Sequence, residues 1–164
     1  MFESEFVKDI KPPDDFYITI NRNRKDIDYQ LDHELFYGLT PPFTIKSTGN
    51  QLNVNVKVNK IKTLYLTYLT LDTKFAEVPE TSFVDLSKIR EFYVNLDIDT
   101  NNNVEVIPYI IQYDSQGKKN MTQINRPMQY FSADEDVIKI RLVFKVKGHG
   151  NFIIRSIKRR DVRL

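Results

Sequence analysis

Hydrophobic and polar residues alternate with a period of two along much of the chain. The run "LNVNVKV" (residues 52–58) places its apolar side chains on one face of a strand and its polar side chains on the other. "FYVNLDI" (residues 92–98) alternates in the same way. "TLYLTYLTL" (residues 63–71) is apolar or β-branched at nearly every position, which predicts a strand in the interior of its sheet.

Further strands are predicted between short turn signals. "DSQGKK" is typical of a hairpin turn in which Gly117 adopts a positive φ, and "VIKIRLVFKVK" and "NFIIRSIK" flank a Gly-His-Gly turn that predicts a final hairpin. Pro108 cannot donate to a ladder, so its strand is expected to be an edge or to bulge there. "FYITIN" (residues 16–21) and "PFTIK" (residues 42–46) add two strands, whereas "FVDLSKIREF" supports only one or two helical turns capped by Asp85.

These eight to ten strands, closely spaced and almost without helix, predict an all-β protein: an antiparallel two-sheet β-sandwich of the jelly-roll type. Its 164 residues suit a single domain spanning positions 1–164, in which residues 1–15 form an N-terminal arm. Alternation assigns eleven apolar side chains to the core: Leu52, Val54, Val56, Leu64, Leu66, Val94, Leu96, Ile140, Leu142, Phe144 and Ile154.

The composition is that of a folded globular protein, with 41% hydrophobic and 28% charged residues. Cysteine is absent, which excludes disulfides, thiolate zinc sites and cysteine nucleophiles. The N-terminus has no basic segment followed by an apolar one, and no run is apolar enough to span a membrane. We therefore expect a cytoplasmic protein, either peripheral at a membrane or part of a larger assembly.

No catalytic apparatus is visible in the sequence. His33 and His149 are the two histidines, and neither has the spacing of a metal or nucleophile motif. "DIDTNNNVE" resembles a calcium loop but has Asn102 where the loop requires glycine. We predict a protein that is not an enzyme and has no cofactor or metal, and we expect His33 to lie apart from any deep polar pocket.

Positive charge is concentrated at the C-terminal end. Residues 145–164 contain seven cations and one carboxylate, for a net charge of +6, whereas residues 1–144 carry −4. One interpretation is a solvated edge strand, in which cations prevent sheet-to-sheet association. The other is contact with a phosphate-bearing polymer or an anionic surface.

The functional interpretation of this charge predicts which residues act together. Because strand residues two apart share a face, Lys158 and Arg160 should point to one side and Arg159 to the other, unless a bulge at Ser156 shifts the register. Lys145 and Lys147 should join the first pair across the Gly-His-Gly turn. The predicted anion-binding residues are thus Lys145, Lys147, Lys158 and Arg160.

Tyrosines on the predicted strands alternate with core-facing residues. Tyr65, Tyr93, Tyr109 and Tyr113 are expected to point away from the main core. Tyrosine combines an apolar ring with a polar tip, so these side chains suit the rim of the sandwich, a sugar-stacking face or a subunit interface equally well. Together with the four cations they complete the predicted ligand-binding set.

The segments "IRLVFKVKGHGNFIIRSIKRR" and "VIPYIIQYDSQGKK" resemble those of carbohydrate-binding-module-like jelly-roll domains, over about residues 42–160. The resemblance is to accessory domains of wall-polymer glycosyltransferases in low-GC Gram-positive bacteria. It implies a non-catalytic module that contacts a glycan or a phosphate-containing wall polymer such as teichoic acid. Sugar-binding members usually stack sugars on tryptophan, which this chain lacks, so the resemblance favours assembly or acceptor-polymer contact.

Two other functional classes remain open. A β-sandwich without an active site could be a structural or oligomerisation module, including a virion or tail component, so a protein partner or a homo-oligomer is expected. Nucleic-acid binding is disfavoured because the whole chain has a net charge of only +2 and lacks the aromatic signature of sheet-based RNA binders.

Overall fold

The computed structural model describes residues 26–38, 43–57, 63–70, 74–101 and 103–162 of the chain. The predicted N-terminal arm and the strand "FYITIN" lie outside the described residues. Val58 and Leu71, at the ends of two predicted strands, also lie outside them.

The described chain forms two antiparallel sheets that pack face to face, so the predicted all-β sandwich is confirmed. The first sheet, sheet A, has the strand order β3-β4-β11-β6-β9, and β1 pairs with β11 off this path. Its strands are β1 (Ile27–Asp28), β3 (Phe43–Thr48), β4 (Gln51–Val56), β6 (Glu91–Thr100), β9 (Gln129–Ser132) and β11 (Gly150–Asp161).

The second sheet, sheet B, has the strand order β2-β5-β10-β7-β8. Its strands are β2 (Phe36–Gly38), β5 (Thr63–Tyr68), β7 (Val104–Asp114), β8 (Gly117–Gln123) and β10 (Lys139–Gly148). A single 3-10 turn, η1 (His33–Leu35), precedes β2. β5 lies between β2 and β10, which confirms its predicted interior position.

The core lies between the inner faces of the two sheets. Ten of the eleven side chains assigned to it by alternation are buried, and Leu96 is partly buried against it. Strand burial follows the predicted period, as in β4, where Leu52, Val54 and Val56 are at most 2% exposed. The loop before β6 adds Phe83 and Val84 to this core.

Three expectations about local pairing need correction. The final hairpin is wrong: β10 pairs with β5 and β7, whereas β11 pairs with β4, β6 and β1 in the other sheet. The chain between Gly148 and Gly150 therefore crosses from one sheet to the other. β11 is a central strand, so the interpretation of its cations as edge protection is also wrong.

The third correction concerns Pro108. β7 lies between β10 and β8, so it is not an edge strand, and the bulge in its pairing with β8 lies opposite Gln112 and Tyr113, where Lys119 of β8 is the extra residue. Proline is accommodated because the paired register with β8 ends at Tyr109, next to Pro108. The backbone N–H of Ile124 then donates to the Pro108 carbonyl at 2.9 Å. Proline has no N–H to donate, and at this position no β8 partner is present to receive one.

The covering segment, residues 74–80, lies on the outer face of sheet B. It forms a second apolar cluster in which Phe75 and Val78 pack on Ile111, Tyr113 and Val143. Its Ala76 carbonyl accepts a hydrogen bond from the Lys118 N–H at 3.1 Å, at the β7–β8 hairpin.

Gly117 permits this close approach. It has the expected positive φ, 125°, and a Cβ at this position would lie 2.7 Å from the Ala76 oxygen. The covering segment therefore closes one half of the outer face of sheet B.

Candidate functional site

The eight predicted ligand-binding residues do not form one site. Directly opposed residues share a face of a sheet, and the register places Lys145 with Tyr65 in sheet B but Arg160 with Tyr93 in sheet A. Lys147 and Tyr109 belong to the first group and Lys158 to the second. Since β10 and β11 are in different sheets, the expected joining of their cations across the Gly-His-Gly turn does not occur.

The cations of β11 alternate as predicted, although a bulge is present between Ile154 and Ser156. Lys158 and Arg160 oppose Asn95 and Tyr93 on the outer face, and Arg159 opposes the buried Val94. Each of these cations faces a carboxylate. Arg160 Nε lies 2.7 Å from Asp26, Lys158 Nζ lies 3.8 Å from Asp28, and Arg155 Nη2 lies 3.0 Å from Asp99.

Arg159 forms a partly buried network at the inner edge of sheet A. Its guanidinium donates to both oxygens of Asp161, at 2.6 and 3.1 Å, and to the Tyr29 hydroxyl at 2.6 Å. Tyr29 in turn donates to the Phe83 carbonyl at 2.7 Å. Burial raises the pKa of Tyr29 to about 12, against the opposing effect of the Arg159 charge. This network connects β11 to the residue that follows β1 and, through Tyr29, to the Phe83 loop.

The outer face of sheet B beside the covering segment carries the other predicted group. Its Tyr65 ring meets the Phe75 ring edge to face with centroids 5.0 Å apart, and Tyr109 packs partly buried against the second apolar cluster. Lys145 lies directly between Tyr65 on β5 and Ile107 on β7, and Tyr109 is diagonal to it across β7. Lys147 lies between Thr63 and Glu105. Neither lysine forms an ion pair with a residue that the structure describes. The result is a flat surface of two cations with tyrosine and isoleucine side chains beside them, here called the lysine–tyrosine face.

Tyr113, the remaining predicted tyrosine, points to the same outer face but is buried under the covering segment. Its hydroxyl donates to the Phe75 carbonyl at 2.7 Å and accepts from Arg141 Nε at 2.9 Å. Tyr113 is therefore a structural residue, and the prediction that its side chain is accessible to a ligand is wrong.

Sequence reasoning missed Arg141, which is fully buried beneath the covering segment. Its Nη1 donates to Thr70 Oγ1 at 3.0 Å, and its guanidinium lies 5.3 Å from the centre of the Phe75 ring. Alternation put Arg141 on the outer face correctly, but the period of a strand carries no information about a loop that later covers that face. The apolar pair Phe75 and Val78 was the available signal.

Tyr93 lies on the outer face of sheet A beside Tyr130. Their rings form an edge-to-face pair with centroids 5.5 Å apart, and Tyr130 is 46% exposed. Tyr130 also donates to the Glu91 carboxylate, which raises the pKa of its phenol. This aromatic pair joins β6 to β9 at the edge of sheet A, with Tyr93 partly buried and Tyr130 exposed.

His33 lies at an open groove, whereas the sequence predicts that it lies apart from any deep polar pocket. It lines a groove of about 830 Å³ together with residues of β1, β11 and the β3–β4 turn. Its Nδ1 is 3.3 Å from Asp32 and 3.4 Å from Ser47 Oγ, so both neighbours meet the same ring nitrogen. A Ser-His-Asp triad requires the two partners on different nitrogens, so this arrangement does not have the geometry of a nucleophilic site.

Within the described ranges, no group of three or more histidine, aspartate or glutamate side chains could hold a metal ion. The same ranges contain no helix of the length and hydrophobicity needed to cross a membrane.

Comparison with known proteins finds structures but no sequence relatives. No protein-family model matches the chain, and no curated protein matches it. Accessory secretory proteins 1, 2 and 3 of Streptococcus pneumoniae include a chain that is 13% identical, with a TM-score of 0.55, over 80% of this chain and 94% of that one.

A chain of the Gap123 glycosylation-associated complex from Streptococcus agalactiae has a TM-score of 0.59 at 10% identity, over 84% of this chain and 45% of that one. The likeness shows that this chain has the same β-sandwich fold as these chains. The predicted resemblance is thereby confirmed at the level of the fold.

The same architecture occurs in the enzymatically active domain of tailspike protein 4 of bacteriophage CBA120. That structure is 12% identical, with a TM-score of 0.51, and the match covers 81% of this chain and 20% of that one. The chain thus spans almost all of the S. pneumoniae protein but less than half of the other two.

Proposed function

We propose that residues 1–164 form a single non-catalytic β-sandwich module that contacts a phosphate-containing wall polymer or glycan, as an accessory to a glycosyltransferase. The contact surface is the lysine–tyrosine face of sheet B. The proposal retains Lys145, Lys147, Tyr65 and Tyr109 from the predicted ligand-binding residues. It assigns Lys158 and Arg160 to ion pairs within sheet A instead.

The observation that carries the proposal is the difference in pairing between the two sets of cations. Arg160 forms a close, partly buried ion pair with Asp26 at 2.7 Å, and Lys158 has Asp28 as a looser, exposed partner at 3.8 Å, whereas Lys145 and Lys147 have no ion-pair partner among the described residues. An incoming phosphate has no carboxylate to displace at Lys145. The free-energy cost of binding a phosphate at Lys145 is therefore smaller than at a cation whose existing ion pair must first be broken.

The neighbours of Lys145 suit a polymer with sugar or glycerol units between its phosphates. Tyr65 and Ile107 lie on either side of the ammonium, and tyrosine offers an apolar ring with a hydrogen-bonding tip to a polyol. Lys147, two residues along the same strand, is about 7 Å away at the rise of a strand. Two cations at this spacing can contact successive anionic groups of an extended chain.

Purified wall teichoic acid is the probe for this proposal. The Lys145→Gln/Lys147→Gln variant should bind it about tenfold or more weakly than the unmodified protein, because two charge-assisted contacts are removed. The matched control is Lys158→Gln/Arg160→Gln, which removes the same charge from the opposite face and should leave affinity nearly unchanged. The affinity for teichoic acid should also fall as the salt concentration rises from about 0.05 to 0.5 M. An uncharged glucan should show no such salt-dependent binding.

Equal binding by both double variants, or equal loss in both, would contradict the proposal. The first result would remove the lysine–tyrosine face from the interaction, and the second would show a response to net charge alone.

The accessory role is supported by the shared fold with a glycosylation-associated complex. It predicts that the module co-purifies with a glycosyltransferase from its native source and that the Lys145→Gln/Lys147→Gln variant still does so. Loss of co-purification in that variant would place the protein contact, rather than the polymer, on the lysine–tyrosine face.

A structural or assembly role is the second candidate, supported by the Tyr93–Tyr130 pair beside β9. Exposed aromatic side chains next to an arginine are enriched at interfaces, and Arg160 lies directly beside Tyr93. Light scattering after size exclusion should then show an oligomer that Tyr130→Ala dissociates. A monomer at all concentrations would exclude self-association as the role of this pair.

A further inference from the structure

The groove at His33 originates from a change of partner along one edge of β11. β4 pairs with β11 from Gly150 to Ile154, and β1 pairs with it at Lys158 and Arg159. The residues between, 155–157, pair with neither strand at that edge, although the Ile157 carbonyl accepts a hydrogen bond from the Tyr29 N–H at 2.9 Å, and the bulge between Ile154 and Ser156 lies in this interval. This opening, of about 830 Å³, is here called the β11 groove.

Hydrogen bonds hold the two sides of the β11 groove in place. The His33 N–H donates to Ser47 Oγ at 2.7 Å, and that hydroxyl donates to the Leu31 carbonyl at 3.2 Å. Asp32 caps the 3-10 turn by accepting from the Glu34 N–H at 3.1 Å. These contacts connect the β1–η1 segment to the β3–β4 turn, so the groove exists before any ligand arrives. A volume of this size is within the range of small-molecule sites.

Side chains of both charge signs line the β11 groove. Asp28 and Asp32 line the side formed by β1 and η1, and Arg155 and Lys158 line the side formed by β11. All four side chains are 40–73% exposed. Both signs of charge therefore face the same opening and are accessible.

The ion pairs of these groups leave capacity for a ligand. Lys158 and Asp28 are 3.8 Å apart and exposed, a contact worth little in water, so a ligand can replace it at small cost. Arg155 contacts Asp99 through one nitrogen, Nη2. A guanidinium carries five N–H donors in a fixed fork, which suits an additional phosphate or carboxylate.

A neutral saccharide fits the β11 groove less well. Sugar rings are usually held against an aromatic face, and Tyr29 is the one tyrosine, phenylalanine or tryptophan among the described lining residues. Its ring is stacked on Phe83 at 4.3 Å and lies under the Arg159 guanidinium at 5.8 Å. The ring is therefore already engaged within the protein, and recognition in this groove must depend on the charged side chains.

From this arrangement we propose that the β11 groove binds a small zwitterionic group, with its ammonium at Asp28 and Asp32 and its phosphate or carboxylate at Arg155 and Lys158. The proposal is independent of polymer contact by the lysine–tyrosine face, because β10 and β11 are in opposite sheets. It gives the basic residues of β11 a ligand-binding role different from the predicted one.

Phosphoethanolamine is the probe, titrated into the isotopically labelled protein and followed by backbone amide NMR. We expect shifts at residues 28–33, 47–50 and 155–158 and none near Lys145. Ethanolamine and inorganic phosphate, each at the same ionic strength, should bind about tenfold or more weakly because each satisfies one side of the groove. Binding of phosphate alone as tightly as of phosphoethanolamine would overturn the proposal, as would saturable binding of glucose in its place.

Two charge-removing variants locate the site from either side. Asp28→Asn/Asp32→Asn keeps the oxygen that caps η1 but removes the acidic charge, and Arg155→Gln/Lys158→Gln removes the basic charge. Each should weaken phosphoethanolamine binding about tenfold or more. Lys145→Gln/Lys147→Gln is the matched control and should leave it unchanged.

Amide shifts remote from the groove report whether each variant keeps its fold. Unchanged phosphoethanolamine binding in both groove variants, with the fold intact, would refute the zwitterion site without affecting the test of teichoic acid binding. Loss of teichoic acid binding in the Lys145→Gln/Lys147→Gln variant alone would support polymer contact without bearing on the groove.

Discussion

β10 and β11 each carry four cationic side chains, yet the sandwich uses them differently. On β11, four carboxylates from β1, β6, β11 itself and the residue before β1 meet the cations one by one. On β10, Arg141 is buried under the covering segment, and Lys145 and Lys147 lie partly exposed beside that segment, without a carboxylate partner among the described residues. A high local density of positive charge in the sequence therefore does not indicate an anion-binding surface by itself. The decisive quantity is how many carboxylates the fold brings to that charge.

Removal of the buried carboxylate on β11 should have the largest effect on stability. Asp161 is 7% exposed and Arg159 13%, so Asp161→Ala leaves a guanidinium charge with poor access to water. We expect the free energy of unfolding to fall by about 3–5 kcal/mol, measured by urea denaturation. Asp28→Ala, which removes the exposed partner of Lys158, should cost no more than about 1 kcal/mol. Similar decreases in unfolding free energy for the two variants would show that burial does not strengthen the Arg159–Asp161 ion pair.

Alkaline pH should weaken the β11 side of the sandwich through Tyr29. Its pKa is raised from 10.0 to about 12 in the folded state, so its contribution is fully present below pH 10 and is lost as pH rises through 12. The loss amounts to about 2–3 kcal/mol at 1.36 kcal/mol per pKa unit. Unfolding free energies of the unmodified protein and of Tyr29→Phe, measured from pH 8 to 12, should therefore converge. Parallel curves would contradict the assignment.

The covering segment should contribute to stability on the β10 side alone. Phe75→Ala removes the ring that packs on Tyr113 and Val143 and lies over Arg141, and we expect a loss of about 2 kcal/mol. Tyr130→Ala, an exposed aromatic residue on the outer face of sheet A, should cost well under about 1 kcal/mol. Thermal unfolding of both variants measures the difference. An equal shift in melting temperature would mean that the covering segment packs no better than the exposed edge.

The smallest effects are expected at the cations that lie outside the core and are at least partly exposed. Lys145→Ala and Lys147→Ala should each change stability by less than about 0.5 kcal/mol. Arg155→Ala loses its contact with Asp99 and should cost about 0.2–1 kcal/mol, a loss that added salt reduces. A larger loss at Lys145 than at Arg155 would indicate that the lysine–tyrosine face is part of the packing rather than a surface open to ligands.

The alternating pattern determined which residues form strands and which faces they bury. Leu52, Val54 and Val56 could be placed in the core because a strand alternates faces regardless of its partners. The same rule placed Lys158 and Arg160 on one face of β11 and Arg159 on the other. The turn residues before Gly117 identified the β7–β8 hairpin. These are local properties of the chain, each set within a few residues.

Tertiary structure decided which strands are neighbours, and with them the candidate sites. The Gly-His-Gly turn is equally compatible with a hairpin and with a crossing between sheets, because both need the same positive φ at Gly148 and Gly150. That choice separated Lys145 from Lys158. The burial of Arg141, the carboxylate partner of each β11 cation and the groove at His33 all depend on contacts between residues distant in sequence, such as Asp26 with Arg160. The alternation of residues within one strand carries no information about such long-range contacts, so they become visible only in the folded structure.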